Sequence, residues 1–136
     1  MHRPLLCAVL ALLAAPTFSA AKAQVLVVSQ YRCDTAKVDA LRAFNDTAGT
    51  PLWQELVNEG KMLSAGTAYA RGDDEWNVVY FYTAETVLQY REGHEEAVAR
   101  VTERYPEYVE LWQEACQAGK DSHYWLGKMT EPPPAR

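Results

Sequence analysis

The chain has 136 residues, of which 49% are hydrophobic, and a formal charge of −5 at pH 7. This length suits one domain with one core and leaves no room for a second domain of typical size. The acidic balance, without any run of Lys and Arg, argues against nucleic acid or an anionic membrane as a partner.

Residues 1–23 have the pattern of a cleaved secretory signal. A short basic start precedes an apolar run from Leu5 to Ala15, and small residues close the segment in Ala21-Lys22-Ala23. The run is too short for a bilayer-spanning helix, which needs about 20 apolar residues. We therefore expect a signal peptide and a periplasmic or secreted mature protein that makes no membrane contact after cleavage.

The cysteines agree with an oxidising compartment. Cys7 would leave with the signal, so Cys33 and Cys116 remain as one pair. A disulfide between these two is the expectation in such a compartment. The alternative is two buried free thiols, because an unpaired cysteine often serves as a small core residue.

In chain order, the first predicted element is a strand over residues 24–32, which is apolar on both faces. A helix opens at Ala36, and Gly49-Thr50-Pro51 interrupts it, because proline removes an intrahelical hydrogen bond. We expect a kink there, or a restart with Thr50 as cap and Pro51 as first helical residue. Gly60 should end this helix.

The clearest two-strand signal follows, over residues 61–83, and it predicts a hairpin with its turn at residues 71–75. Residues 62–69 predict a strand of small side chains, and residues 76–82 predict a strand rich in aromatic and β-branched side chains. Alternation would place Trp76 on one face with Val78, Tyr80 and Tyr82. Both faces carry apolar side chains, so the sheet needs a cover on each side.

A second long helix opens at Thr83 or Thr86, because apolar residues recur from there at intervals of three and four. Pro106 should bend or divide this helix, and Gly119 should end it. Residues 122–129 predict the fourth strand, and the proline-rich residues 131–136 predict a disordered tail. The apolar stripe of the helix comprises Val87, Tyr90, His94, Val98, Val101, Tyr105, Tyr108, Trp112 and Ala115.

This order of elements predicts an α+β, ferredoxin-like βαββαβ domain over residues 24–130. Its four-stranded antiparallel sheet would carry both helices on one face and leave the other face apolar and open. A second copy of the chain would cover the open face, so we expect a homodimer. In such a sheet the first strand ends where the second helix ends, which would bring Cys33 and Cys116 together.

In the order and size of these elements, residues 25–129 resemble the dimeric α/β-barrel superfamily. That superfamily includes the antibiotic-biosynthesis monooxygenases and the stress-responsive and EthD-like families. The resemblance lies in element order and carries no catalytic motif, so it implies a fold rather than a reaction.

Aromatic side chains crowd the predicted layer between sheet and helices. Tyrosine and tryptophan combine a large apolar body with a polar tip, so such a layer can line a pocket for a small apolar or aromatic molecule. The alternative is that these side chains only pack the core and the dimer interface. The candidate ligand-binding residues are Tyr31, Trp53, Tyr80, Tyr82, His94 and Trp112.

His94 is the candidate catalytic base, because it is a titratable group on the apolar stripe of the second helix. The alternative is that His94 is a core or interface residue with satisfied hydrogen bonds and no catalytic role. His94 and His123 lack metal-ligand spacing, and the chain has no dinucleotide or phosphate-binding motif, so we expect neither a metal nor a cofactor. Asn45-Asp46-Thr47 has the form of a glycosylation sequon inside a predicted helix.

Together these patterns favour a small dimeric protein that binds an apolar or aromatic molecule between sheet and helices. One alternative is a cofactor-independent enzyme of the monooxygenase or isomerase kind, with His94 as base and tyrosines as donors. Another is a structural or interaction module without a ligand. An open cavity beside His94 would favour binding or catalysis, and a closed core around it would favour the structural role.

Overall fold

The structure is a computed structural model that describes residues 25–70 and 74–127. The strands β1 (Val25–Cys33), β2 (Ser64–Tyr69), β3 (Val78–Ala84) and β4 (Cys116–Trp125) form one antiparallel sheet in the order β2-β3-β1-β4. A π-helical turn (Asn45–Gly49) joins α1 (Thr35–Phe44) to α2 (Thr50–Asn58), and α3 (Val87–Arg104) is followed by α4 (Pro106–Ala115). This βαββαβ order confirms the α+β, ferredoxin-like prediction.

Side chains of the two central strands, β1 and β3, point alternately to the two faces of the sheet. The helices cover the face to which the buried side chains point. Leu41 and Leu56 of the helices are fully buried against that face, and each stabilises the fold by roughly 2 kcal/mol through removal of apolar surface from water. The buried residues of the covered face are Val25, Val27 and Ser29 of β1, and Val78, Tyr80, Tyr82 and Ala84 of β3.

The first helical arm stays helical through the predicted interruption. Asp34 caps α1 by accepting a hydrogen bond from the Ala36 N–H at 3.0 Å. Pro51, at the start of α2, has no N–H to donate to the preceding turn. The turn before it is π-helical, and the helix is not broken there. Thr50 makes no capping hydrogen bond, so that part of the prediction was wrong. Gly60, with φ of 74°, follows the end of α2 as predicted.

The second helical arm divides at Pro106, which confirms that prediction. Val98, however, is 51% exposed, so its assignment to the buried stripe was wrong. Gly93 and Ala97 occupy the buried position instead, because α3 lies very close to the segment after α2. A Cβ atom at Gly93 would lie 2.4 Å from the Lys61 carbonyl oxygen.

The predicted end of the second helix at Gly119 was wrong. The helix ends at Ala115, and β4 begins directly at Cys116 rather than at residue 122. Gly119 lies within β4 opposite Tyr31, where a Cβ atom would be 2.5 Å from the tyrosine Cε1. This glycine therefore makes room for a ring rather than ending a helix.

Both strands of the predicted hairpin are present, but Trp76 is not part of β3. That strand begins at Val78, because the preceding residue, Asn77, is turned inward and bonded to Cys33. The ring of Trp76 instead lies against Lys120, whose Nζ is 4.5 Å from the ring centroid. The prediction that Trp76 shares a strand face with Val78 was therefore wrong.

A disulfide joins Cys33, the last residue of β1, to Cys116, the first residue of β4. The predicted bond is thus confirmed, and the alternative of two free thiols was wrong. The two cysteines are 83 residues apart in sequence, so the bond ties the second helical arm to the strand that precedes the first arm.

The predicted signal peptide and the tail at 131–136 lie outside the described residues, as does the start of the predicted hairpin turn. None of the described helices has both the length and the hydropathy that a membrane crossing demands.

Candidate functional site

A cavity of about 320 Å³ lies between the covered face of the sheet and the helices. This volume falls at the lower end of the range of small-molecule sites. The structure brings all six predicted ligand-binding residues to the wall of this one cavity: Tyr31, Trp53, Tyr80, Tyr82, His94 and Trp112. That they bind a ligand stays a prediction.

Aromatic rings support one another around the cavity. Tyr31 and Trp112 meet edge to face with their centroids 4.9 Å apart, and Trp53 lies 5.2 Å from Tyr82. Phe44 stacks on Tyr108 with 3.8 Å between the centroids. In each of these pairs the two rings come from different elements, so packing against another element restrains each side chain at the cavity.

A hydrogen-bonded cluster of Asn45, Tyr80 and Tyr108 forms part of this wall; we call it the amide–tyrosine cluster. Asn45 Nδ2 donates to the Tyr80 hydroxyl at 3.0 Å and to the hydroxyl of Tyr69 at 2.8 Å. The hydroxyls of Tyr80 and Tyr108 are 2.7 Å apart, and the Tyr108 hydroxyl lies 3.4 Å from Asn45 Oδ1. Tyr69 lies beside the cavity rather than on its wall.

The tyrosines of the cavity are neutral hydrogen-bonding groups. Burial raises the pKa of Tyr80 and the pKa of Tyr108, and for Tyr108 the neighbouring Tyr80 adds to the effect. Burial also holds the pKa of Tyr82 well above its ordinary value. These hydroxyls therefore keep their protons at neutral pH and can donate or accept hydrogen bonds but cannot act as bases.

Sequence reasoning missed Asn45. Its side chain is bonded to two tyrosines and the residue is only 2% exposed, so the sequon that it begins is closed to glycosylation in the folded protein. The π-helical turn points the amide inward, and Gly49 leaves space for it, because a Cβ there would lie 2.7 Å from Asn45 Oδ1. The available signal was the interruption at Gly49-Thr50-Pro51, since π-turns recur at functional sites.

His94 lies half-buried on the cavity wall with its imidazole against two tyrosines. The ring centroids are 5.9 Å from Tyr82 and 5.6 Å from Tyr90. Burial lowers the pKa of His94, and the carboxylates of Asp121 and Glu95 only partly oppose this. The imidazole is therefore neutral at pH 7 and able to accept a proton.

His123 does not belong to the cavity. It is exposed on β4, and its ring meets the edge of Tyr90 at 5.7 Å. Across residues 25–70 and 74–127, no three His, Cys, Asp or Glu side chains lie close enough together to hold a metal ion.

No known family profile matches the chain, and no curated protein is similar to it in sequence. Solved structures do share its fold. A NIPSNAP family protein of unknown function from Agrobacterium tumefaciens str. C58 has a TM-score of 0.62 at 9% identity, over 79% of this chain and 92% of that one. A dimeric ferredoxin-like protein from an uncultured marine organism has a TM-score of 0.61 at 6% identity, with 83% and 96% covered.

A third structure of the same fold is the Streptomyces coelicolor monooxygenase ActVA-Orf6 in complex with nanaomycin D. It has a TM-score of 0.56 at 20% identity, over 81% of this chain and 93% of that one. Identities this low show the fold alone. The chain is thus a ferredoxin-like α+β protein, and its resemblance to families that include monooxygenases of this type is confirmed at the level of fold.

Proposed function

We propose that this protein binds a small, flat apolar or aromatic molecule in the cavity between sheet and helices. The observation that carries the proposal is a space of about 320 Å³ walled by aromatic rings, into which a few polar groups converge. A purely structural module would have closed its core around His94, whereas here His94 borders open space.

Titration calorimetry with 2-ethylnaphthalene, a flat apolar probe, tests this proposal. Val98 lines the cavity on its solvent side, so Val98→Trp should block the site and weaken binding by at least about tenfold. The matched control is Leu88→Trp, which adds the same ring at an exposed position of the same helix away from the cavity. Absence of binding, or equal binding by both variants, would contradict the proposal.

A second candidate function is cofactor-independent catalysis with His94 as general base. A neutral imidazole on the wall of an aromatic cavity supports it, and so does the monooxygenase that shares the fold. Oxygen uptake with 1-naphthol, measured beside binding, separates the two functions. If catalysis is correct, His94→Gln abolishes uptake and retains binding; equal uptake by the variant and the wild type removes this candidate.

We further propose that two copies pair through the open face of the sheet. This face carries partly exposed apolar side chains, and a protein of the same fold is described as dimeric. Sedimentation equilibrium should show a dimer that Phe81→Lys converts to a monomer. Leu88→Lys, at an exposed apolar position on α3, should leave the dimer intact. The open-face residues are Leu26, Val28, Val79, Phe81 and Tyr124.

The proposed compartment is the periplasm or the exterior of the cell. The secretory pattern of residues 1–23 supports it, and so does the Cys33–Cys116 disulfide, a bond that persists under oxidising conditions. Amino-terminal sequencing of the protein from its own host should begin at Gln24. A sequence that begins at Met1 would contradict both the cleavage and the compartment.

A further inference from the structure

The hydrogens of the amide–tyrosine cluster can be counted one by one. The amide of Asn45 has two N–H bonds, and they are directed at the hydroxyl oxygens of Tyr69 and Tyr80. The Tyr80 hydroxyl therefore accepts from the amide, and its own hydrogen must point elsewhere. The 2.7 Å contact between Tyr80 and Tyr108 uses one hydroxyl hydrogen, whichever of the two donates it.

Two hydroxyls carry two hydrogens, so one hydroxyl hydrogen is left over. Among the described residues of the cluster, its available acceptor is Asn45 Oδ1, which is 3.4 Å from the Tyr108 oxygen. Hydrogen bonds between two oxygens are usually 2.5 to about 3.0 Å long, so this contact is weak. A ligand oxygen that takes this hydrogen in a shorter contact therefore replaces the longest hydrogen bond of the cluster.

The cavity also limits the charge of the ligand. No Lys, Arg, Asp or Glu side chain lines the cavity among the described residues, and its histidine is neutral at pH 7. An ionised ligand would lose part of its hydration there without gaining a counter-ion, which is unfavourable. The ligand should therefore accept one hydrogen bond and carry no charge. A carbonyl oxygen at the edge of a flat molecule meets both requirements.

We propose that the amide–tyrosine cluster is a hydrogen-bond donor site that selects a neutral aromatic carbonyl compound. The proposal rests on the binding function proposed above and specifies its ligand class. Tyr80 and Tyr108 together offer one hydroxyl hydrogen to the ligand. Asn45 orients this hydrogen, because its amide donates to the Tyr80 hydroxyl and so occupies the acceptor side of that oxygen.

Three probes of matched shape test the proposal: 2-acetylnaphthalene, 2-ethylnaphthalene and 2-naphthoate. The ketone should bind about fivefold more tightly than the hydrocarbon, the ratio expected for one neutral hydrogen bond. The carboxylate should bind at least about tenfold more weakly than the ketone. Equal affinity for ketone and hydrocarbon would overturn the donor site but leave the binding function standing, whereas failure of all three probes to bind would overturn both.

Substitutions give a more specific signature, because the count depends on the pair of hydroxyls. Tyr80→Phe and Tyr108→Phe each leave one hydroxyl without a hydroxyl partner, so each single variant still has one hydrogen for the ligand. Both should keep the preference for the ketone, and the double variant should lose it. Tyr69→Phe is the control, because its hydroxyl contacts Asn45 outside the cavity wall. A preference that survives in the double variant would overturn the proposal.

An infrared measurement on the wild-type protein does not depend on how the variants fold. The carbonyl stretching frequency of bound 2-acetylnaphthalene should be lower than in hexane, because a hydrogen bond to the oxygen weakens the C=O bond. A frequency equal to that in hexane would show a carbonyl without a donor and would overturn the proposal even if the ketone binds.

Discussion

The side chain of Asn77 is hydrogen-bonded to both backbone polar groups of Cys33. The Cys33 N–H donates to Oδ1 at 2.8 Å, and Nδ2 donates to the Cys33 carbonyl oxygen at 2.7 Å. Both residues are buried, so the amide satisfies two groups that water does not reach. The Asn77 side chain thus makes the two hydrogen bonds that a residue of a paired strand would make with Cys33. It does so at the end of β1 where the disulfide also lies.

Asn77→Ala should lower the free energy of unfolding by about 3 kcal/mol, because two backbone groups of Cys33 would be left buried without partners. Urea denaturation followed by tryptophan fluorescence measures this loss. Asn58→Ala is the control, since it removes an exposed amide that accepts a hydrogen bond from the exposed Gln54, and it should change stability by less than about 0.5 kcal/mol. A loss below about 1 kcal/mol for Asn77→Ala would contradict the role assigned to this amide.

Loss of the disulfide should cost about 4 kcal/mol, because the bond closes a long loop and restricts the unfolded chain. Comparison of the oxidised protein with the Cys33→Ala, Cys116→Ala double variant in urea measures this difference. Thiol titration of the denatured, unreduced mature protein should find no free thiol. Two thiols per chain would mean that the bond does not form.

The stability of the protein should rise with pH in the range where His94 titrates. Burial lowers the pKa of His94 in the folded state, whereas the unfolded chain has the ordinary value of about 6.5. Between these two values the unfolded state binds more protons, so the contribution of His94 is complete above about pH 6.5 and is lost as the pH falls through the lowered pKa.

His94→Gln should remove this part of the dependence, and His123→Gln, at an exposed site, should retain it. Denaturation curves between pH 5 and about 7.5 provide the comparison. Identical slopes for the wild type and His94→Gln would show that the imidazole is not buried as the structure has it.

Gly93→Ala should destabilise the protein by about 2 kcal/mol, because the added Cβ would lie 2.4 Å from the Lys61 carbonyl oxygen. The backbone of that segment cannot turn aside as a flexible side chain would, so α3 must shift. Gly127→Ala is the control, since among the described residues no atom lies within 4 Å of the Cβ position there. Equal thermal midpoints for the two variants would contradict the close approach of α3 to Lys61.

The element order could be predicted from the sequence because it depends on local patterns. Strand alternation, helical periodicity and the break at Pro106 each act within a few residues, and the element order that they predict was confirmed. The cysteine pair followed from the same topology, since adjacent strands bring Cys33 and Cys116 into one position.

The errors concern residues whose surroundings come from distant parts of the chain. Trp76 falls outside β3 because Asn77 is bonded to Cys33, which is 44 residues away. Gly119 resembles a helix end in sequence, but it lies in β4, where it is paired with Tyr31 of the neighbouring strand and leaves room for that ring. The local sequence around Trp76 or Gly119 contains neither Cys33 nor Tyr31, so a local pattern could not predict these contacts.

The candidate site was predictable in its aromatic part alone. Tyr80, Tyr82 and Tyr31 share a face by alternation, so their convergence follows from strand geometry. The role of Asn45 depends on a π-helical turn and on hydroxyls from β2, β3 and α4, which no local pattern specifies.

The π-helical turn also constrains how this protein can diverge. Such a turn holds one residue more than regular winding needs, and each residue of an α-helix advances about 100° around the axis. Deletion of one residue between 45 and 49 would therefore return the turn to regular winding without rotating α2, so Leu52 and Leu56 would stay in the core while the Asn45 amide lost the turn that points it inward. Loss of the extra residue would thus cost the hydrogen bonds of Asn45 to Tyr69 and Tyr80 rather than the hydrophobic layer beneath the helix.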